Sequence, residues 1–366
     1  MIRWREGTVT ATGRRWHGAV ELEVAVTSRA ADDPTRVRAL AYPPLVGDPV
    51  VGDRVLLNMS AVTLALGTGG YALVVALPDR LPDDAPGFAT AAGGHVVKAR
   101  YTPLQPIVLG VDEAASGHRN AMASATDLDG LPVVVADLHS ALPAIVAGIA
   151  ERRPAARIAY VMLDGGALPA WFSRTLDGLR TLLVGTVTVG QAYGGDLEAS
   201  NVHSGLLAAR HVLGADVAVV AQGPGNLGTG TAWGFSGTAA GEAVNATAVL
   251  GGRPIGSLRI SDADPRERHL GVSHHTLTAY GRVALARADL VVPDALLPAL
   301  AARVSAQLEP LAVRHTIVTV ATDGLDAALR ALPVKLSTMG RDLDADPAYF
   351  LAAAAAGRHA ATLCEQ

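Results

Sequence analysis

The chain has 366 residues, 50% of them hydrophobic and 4% aromatic, with 30 basic against 34 acidic side chains. No basic run or stripe accompanies that near balance, so neither nucleic acid nor an anionic membrane surface is an expected partner. Cys364 is the single cysteine and rules out an internal disulfide, no apolar stretch reaches membrane-spanning length, and no apolar run follows the N-terminal residues as in a signal peptide, so a cytoplasmic protein is expected.

The length predicts two domains, each large enough to bury a core. Residues 1–100 read as strands. Residues 18–26 alternate Val20, Leu22, Val24 and Val26 with Glu21 and Glu23, and 36–40, 53–59, 60–66 and 71–77 continue in period two between glycine turns. That pattern predicts a small antiparallel β-barrel-like or sandwich domain with one wet face. Residues 45–54 read as a barrel corner. Residues 78–94, polar and with three prolines, read as a long loop, and 101–106 as the hinge.

From residue 106 the period changes. The runs 106–110, 132–136, 157–162, 182–188, 216–221 and 316–320 are short, valine-rich and apolar throughout. Between or after them lie helical patterns at 138–151, 167–181, 196–211, 236–249, 272–288, 294–308, 324–331 and 347–356. The fold class expected for 106–366 is therefore α/β, a mostly parallel sheet with helices on both faces. The abundant glycine and alanine predict close backbone packing. The helical stripe Leu297, Leu300, Val304, Leu308 either completes the core or forms an interface, and a homodimer is expected on the general frequency of two-fold oligomers.

In open parallel sheets ligands sit beyond the carboxyl ends of the strands. Four strand ends here run into polar or glycine-rich segments. Asp137 either caps the next helix or joins His139 in a cleft. Asp164, before two glycines, is either a turn former or a proton-transfer group. Asp196 is placed as an N-cap or as a catalytic carboxylate, with Glu198 and Asn201 beside it on the predicted helix. The fourth is the loop 222–237, with six glycines in sixteen residues.

Six glycines make sense where a chain turns tightly or passes close to a ligand, the geometry in which amides converge on an anion. Gly223, Gly225, Asn226, Gly228, Thr229 and Gly230 are the expected anion-binding residues, with Arg266 and Arg268 as a clamp. The alternative is a glycine loop that serves structure alone. The order is not that of a Walker A loop. Gly-Pro-Gly-Asn-Leu-Gly has dinucleotide-fingerprint spacing, but a proline occupies the turn and no helix follows at once.

The segment 261–276 is the densest polar cluster. One reading takes His274 as an acid or base beside the arginines. A rival reading has Asp262, Asp264, His269 and His275 bind a divalent metal, although Ser-His-His matches no strong zinc spacing. The plain reading is a solvated loop with Ser273 capping the following helix. No cofactor is implied.

Residues 190–201, 222–237 and 271–278, quoted as GQAYGGDLEASN, QGPGNLGTGTAWGFSG and GVSHHTLT, resemble a family of uncharacterised bacterial proteins, common in actinobacteria and related Gram-positive groups. The resemblance covers nearly the whole chain and implies no activity. From the residues alone, the expected function is a hydrolase or transferase acting on a small phosphorylated or carboxylated metabolite. Asp164, Asp196 and His274 are its candidate catalytic residues. The alternative is a non-enzymatic small-ligand-binding or assembly protein.

Overall fold

A computed structural model describes residues 2–27, 33–64, 68–83 and 93–364. The chain divides into two compact units, Met1–Gly93 with Val97–Ile107, and Gly94–Val96 with Val108–Gln366. No helix among the described residues is long and apolar enough to cross a membrane.

The first unit holds β1 (Trp4–Trp16), β2 (Ala19–Thr27), β3 (Arg36–Ala41), β4 (Arg54–Asn58) and β5 (Ala72–Ala76), closed into a barrel in the order β1-β2-β3-β5-β4. All neighbours are antiparallel except β3 with β5. Inward residues every second position, such as Val20, Leu22 and Val24 of β2 and Val55 and Leu57 of β4, form its core. Two features differ from the sequence reading. Strand β1 is the longest yet carries little apolar alternation, because most of its side chains face water. Residues 60–66 are not a strand: Ser60–Thr63 is a helical turn, and 65–67 lie outside the described residues. Local bonds explain the turn, since Asn58 Oδ1 accepts the Ser60 amide and Thr63 Oγ1 donates to the Met59 carbonyl.

The second unit is built on eight parallel strands: β6 (Pro132–Val135), β7 (Ile158–Leu163), β8 (Gly185–Thr188), β9 (Leu197–Glu198), β10 (Val217–Gln222), β11 (Arg253–Ser257), β12 (Asp289–Pro293) and β13 (Thr316–Val320). Their order is β9-β8-β7-β10-β6-β11-β12-β13. Successive residues serve opposite faces. Val133, Val135, Ala159, Val161, Ala218 and Val220 meet the helices Val202–His211, Ala239–Val249 and Pro298–Leu308. Val134, Ile158, Tyr160, Val217 and Val219 meet Leu142–Arg152, Leu325–Arg330 and Pro347–Leu363. Both faces are covered, which is why these strands read as apolar throughout.

On the second face, helices 142–152 and 347–363 touch backbone to backbone. A Cβ on Gly148 would stand 1.9 Å from the Ala354 carbonyl oxygen, and one on Gly357 would stand 2.0 Å from that of Ile145. The alanine-rich C-terminal helix is thus core. In helix 298–308 and its N-cap, Leu300, Val304 and Leu308 are buried while Leu297 is exposed.

Four further sequence expectations change. The run 106–110 is not a strand of the sheet and meets it only through a parallel bridge from Gly110 to Glu198 of β9. Strands β11 and β12 fall in segments without a long apolar run. The helix expected from 196 begins at Val202, with Asn201 as its N-cap in a reciprocal capping box with Ser204, so Asp196 is not the cap. The helix expected over 272–288 is a turn, His274–Thr278, that widens into a π turn, Ala279–Val283.

Candidate functional site

The connection after β6 runs through helix 142–152 on one face, and the connection after β10 runs through helix 239–249 on the other. These two strands are neighbours. Right-handed crossovers therefore carry the chain away in opposite directions, leaving a crevice between their carboxyl ends. Asp137 and Gln222 stand there. Gln222 Nε2 donates to the Asp137 carbonyl at 2.7 Å and to Asn226 Oδ1 at 2.9 Å. The Asp137 carboxylate accepts the Thr276 hydroxyl at 3.0 Å, so it ties β6 to the histidine segment rather than capping a helix. Burial pushes the Asp137 carboxyl up, against the lowering pull of the Arg259 charge and the Thr276 bond.

The glycine loop packs on this segment. The Phe235 ring stacks on His275 at a centroid distance of 3.9 Å and an interplanar angle of 5°. A Cβ on Gly228 would lie 3.5 Å from His275 Cε1, and one on Gly230 would lie 3.7 Å from Arg268 Nη2. His269, His274 and His275 gather beneath. Each offers a ligating atom, and these atoms all lie within 4.8 Å of one another. The rings of His274 and His275 are 4.1 Å apart, and His269 meets them edge-on at 5.0 and 5.2 Å.

His269 and His275 are buried and His274 half-buried. Burial first, then the charges of Arg259 and Arg266, depress His269 to about 3. Burial, then His274 and the nearby arginines, depress His275 to about 4, and His274 is lowered by burial and by Arg268, Arg259 and Arg266. All three rings are therefore neutral near pH 7. His269 Nδ1 pairs with Ser273 Oγ at 2.7 Å. His274 Nε2 and both ring nitrogens of His275 are buried without a hydrogen-bond partner.

Arg259 supplies the site's buried cation. It is 2% exposed, and among the described residues its guanidinium bonds only Asp264, through Nη2 at 3.0 Å. Asp264 also takes Arg266 at 2.9 Å and Arg341 at 3.2 Å. Burial works to raise the Asp264 carboxyl, but the Arg266 bonds and the Arg266 and Arg259 charges hold it well below the usual carboxylate range. Nothing in the sequence pattern singled out Arg259 or Gln222. Gln222 ends the apolar strand β10, and that position was the available signal, whereas Arg259 follows β11, which has no apolar run and offered none.

The other expected site residues are not among the three clustered histidines, although Asp164 follows Leu163, the register partner of Gln222, at the same sheet edge. Asp164 Oδ2 accepts the Gln191 amide at 2.8 Å, and the residue lines a different hollow with Gly190, Asn201 and Glu242. Asp196 accepts the Thr186 amide at 2.8 Å. Thr186 pairs with Tyr160, four residues before Asp164, so Asp196 lies about 13 Å back along the strand direction, away from the carboxyl edge. Glu198 is buried against Thr188 Oγ1 at 2.7 Å. Of the trio Asp164, Asp196 and His274, only His274 belongs to the cluster.

Asp262 is exposed and stands outside the histidine cluster, and Asp264 is engaged by guanidinium groups. In the glycine loop, the Gly223 amide bonds the Leu163 carbonyl at 3.2 Å and the Thr229 amide that of Gly234 at 2.7 Å. The Asn226 side chain is pinned by Gln222 and Ser236. The amides of Gly225, Asn226, Gly228 and Gly230 meet no acceptor among the described residues. Arg268 is exposed beside Gly230, and Arg266 is committed through two nitrogens to Asp264. Ser273 caps the following turn by accepting the His275 amide at 3.3 Å.

Residues 38–357 match the model of a family described as protein of unknown function DUF3866, and the chain belongs to that family. No curated protein and no solved structure matches the chain.

Proposed function

For a member of that family, we propose an enzyme, a hydrolase or transferase, that takes a small phosphorylated or carboxylated metabolite in the crevice between β6 and β10. One observation carries this reading. Arg259 is a buried cation with a single side-chain partner, beside three neutral histidines and under a loop with unengaged amides. A buried charge with spare donors is costly unless an anion completes it. Arg268 and the Gly225–Gly230 amides support anion recognition at the mouth. His274, half-buried and neutral, supports a role in proton transfer.

Calorimetry with inorganic phosphate and with acetate tests the anion site. The expected result is binding to the full chain that weakens about tenfold or more in Arg259→Gln and in Arg268→Ala. Arg268→Ala covers the case in which Arg259→Gln fails to fold. No binding at millimolar anion sinks the reading. Incubation with a mixture of phosphorylated and carboxylated metabolites, followed by NMR, tests catalysis. Consumption that His274→Gln abolishes supports an enzyme. Binding without consumption replaces it with the ligand-binding alternative.

The same reading takes the chain as a cytoplasmic homodimer. A lone cysteine near the terminus supports the compartment. The apolar groove lined by Leu296, Ala301, Val304 and Ile317 beside the edge strand β13 supports the dimer. A monomer mass in light scattering at micromolar concentration refutes the dimer.

A further inference from the structure

We infer that His269, His274 and His275 bind one divalent transition-metal ion of the zinc class through three imidazoles, leaving a fourth coordination position open. This goes beyond the anion reading and stands or falls without it.

Three observations carry the inference. The first is geometry. Three imidazole nitrogens on a tetrahedral zinc ion stand about 3.3 Å apart, given bonds of about 2.0 Å. The ligating atoms here already lie within 4.8 Å of one another. Small ring rotations close the difference.

The second is the state of the rings. A buried polar atom without a partner is unfavourable, and native interiors avoid it. Here three ring nitrogens of two adjacent histidines share that condition, and His275 is 5% exposed. An ion between the rings takes one lone pair from each, which relieves His274 and one nitrogen of His275 and leaves the other His275 nitrogen as an N–H.

The third is orientation. A ligating histidine characteristically gives its other N–H to an oxygen, which fixes the tautomer and the ring. His269 Nδ1 meets Ser273 Oγ at 2.7 Å, and in the tautomer with Nδ1 protonated Nε2 is left as the ligand. His275 is held flat by the Phe235 ring instead. Both supports come from outside the triad. The ligand class follows from the clustered atoms among the described residues, which are three imidazole nitrogens with no thiolate or carboxylate among them. Three imidazoles with an open place suit zinc, and also nickel, copper or iron, better than magnesium or calcium.

The arginines bear on affinity. Their field opposes a cation on the rings as it opposes a proton. Asp264 offsets part of it, because it faces Arg259, Arg266 and Arg341 together. An anionic oxygen in the fourth position offsets more.

Cobalt(II) titration of the full, tag-free chain in chloride buffer, after dialysis against a chelator, tests the site. The expected result is one equivalent bound at micromolar concentration, with visible bands of a low-coordinate ion that zinc abolishes. His274→Gln and His275→Phe should each weaken binding about a hundredfold, and Ser273→Ala about tenfold, through the His269 ring and the lost cap of the His274–Thr278 turn. Circular dichroism and the melting midpoint of the metal-free variants establish that they fold. If neither cobalt nor zinc binds stoichiometrically, or if folded His274→Gln and His275→Phe bind as the parent does, the inference is overturned. Cobalt binding by a chain that takes no phosphate or acetate sinks the anion reading alone. Phosphate binding by a chain that takes no cobalt sinks the metal alone.

Discussion

Two sets of buried histidines stand beyond the carboxyl ends of the sheet, and they are opposites. His139 lies 8% exposed with both ring nitrogens paired. Nε2 meets Ser173 Oγ at 2.7 Å and Nδ1 meets the Tyr160 hydroxyl at 3.1 Å. The chain of bonds closes at both ends. Ser173 Oγ accepts the Leu176 amide at 3.0 Å, and the Tyr160 hydroxyl reaches the Gln222 carbonyl at 3.0 Å. If Ser173 donates to Nε2, and Nδ1–H donates to Tyr160, every atom is satisfied without a ligand. The set of His269, His274 and His275 is just as neutral but leaves three nitrogens unpaired. Burial and a depressed pKa are common to both sets, so neither property marks a site. What separates them is whether the polar account closes within the protein.

The largest effect that sharpens the contrast comes from acid. Burial depresses His139 to about 4 from an ordinary 6.5. A histidine harder to protonate folded than unfolded gives its full stability above about pH 6.5 and loses it as the pH falls toward 4. The difference amounts to about 3 kcal/mol by linkage. His139→Leu removes that dependence. At pH 7 it costs about 2 kcal/mol, because it strands the Ser173 hydroxyl. Urea unfolding from pH 7 to pH 4 should show the two curves converging and then crossing at about pH 5, with the variant the more stable in acid. Parallel curves would mean that His139 is protonated without penalty. His275→Phe is expected to behave in the opposite way. It swaps unpaired nitrogens for carbon against the Phe235 face, so the metal-free chain should gain up to about 1 kcal/mol at pH 7. A loss of 2 kcal/mol or more would show that the His275 ring has partners after all.

Much of this fold was legible in the sequence because its signals are local. Period two in residues 18–26 and unbroken apolar runs at 132–136, 157–162 and 216–221 mark the two sheet types directly. Strand β1 escaped because its side chains face water, and β11 because Arg253, Pro254, Gly256 and Ser257 carry no apolar rhythm. The site was half legible. Glycine density and histidine density pointed to 222–237 and 261–276, and these segments do meet. What sequence could not convey was which polar residues share an edge. Asp164 precedes and Asp196 follows a pair of glycines, yet the loop after β8 doubles back, so Asp196 returns to the level of Thr186. Arg259 gained its importance only from burial beside residues distant in sequence.

Unequal expected effects, down to the smallest at Gly228, divide the glycine loop itself, and they break the assumption that its glycines act alike. At the base, a Cβ on Gly223 would stand 2.5 Å from the Ala167 carbonyl oxygen and 2.9 Å from Met162 Cε. Backbone cannot yield cheaply there, so Gly223→Ala should cost about 2 kcal/mol through overpacking. Nearer the histidines, a Cβ on Gly228 would meet His275 Cε1 at 3.5 Å and Phe235 Cβ at 3.9 Å. Those are ordinary contacts, and Gly228 does not have a positive φ. Gly228→Ala should therefore leave stability within about 0.5 kcal/mol of the parent, since reduced unfolded-state freedom offsets any crowding. Cobalt affinity should hold within about threefold, because His275 keeps its stacking partner and no ligand is touched. Equal melting losses in the two variants would show that the loop is closely packed along its whole length. A selective loss of cobalt in Gly228→Ala would instead place the ion against the loop backbone.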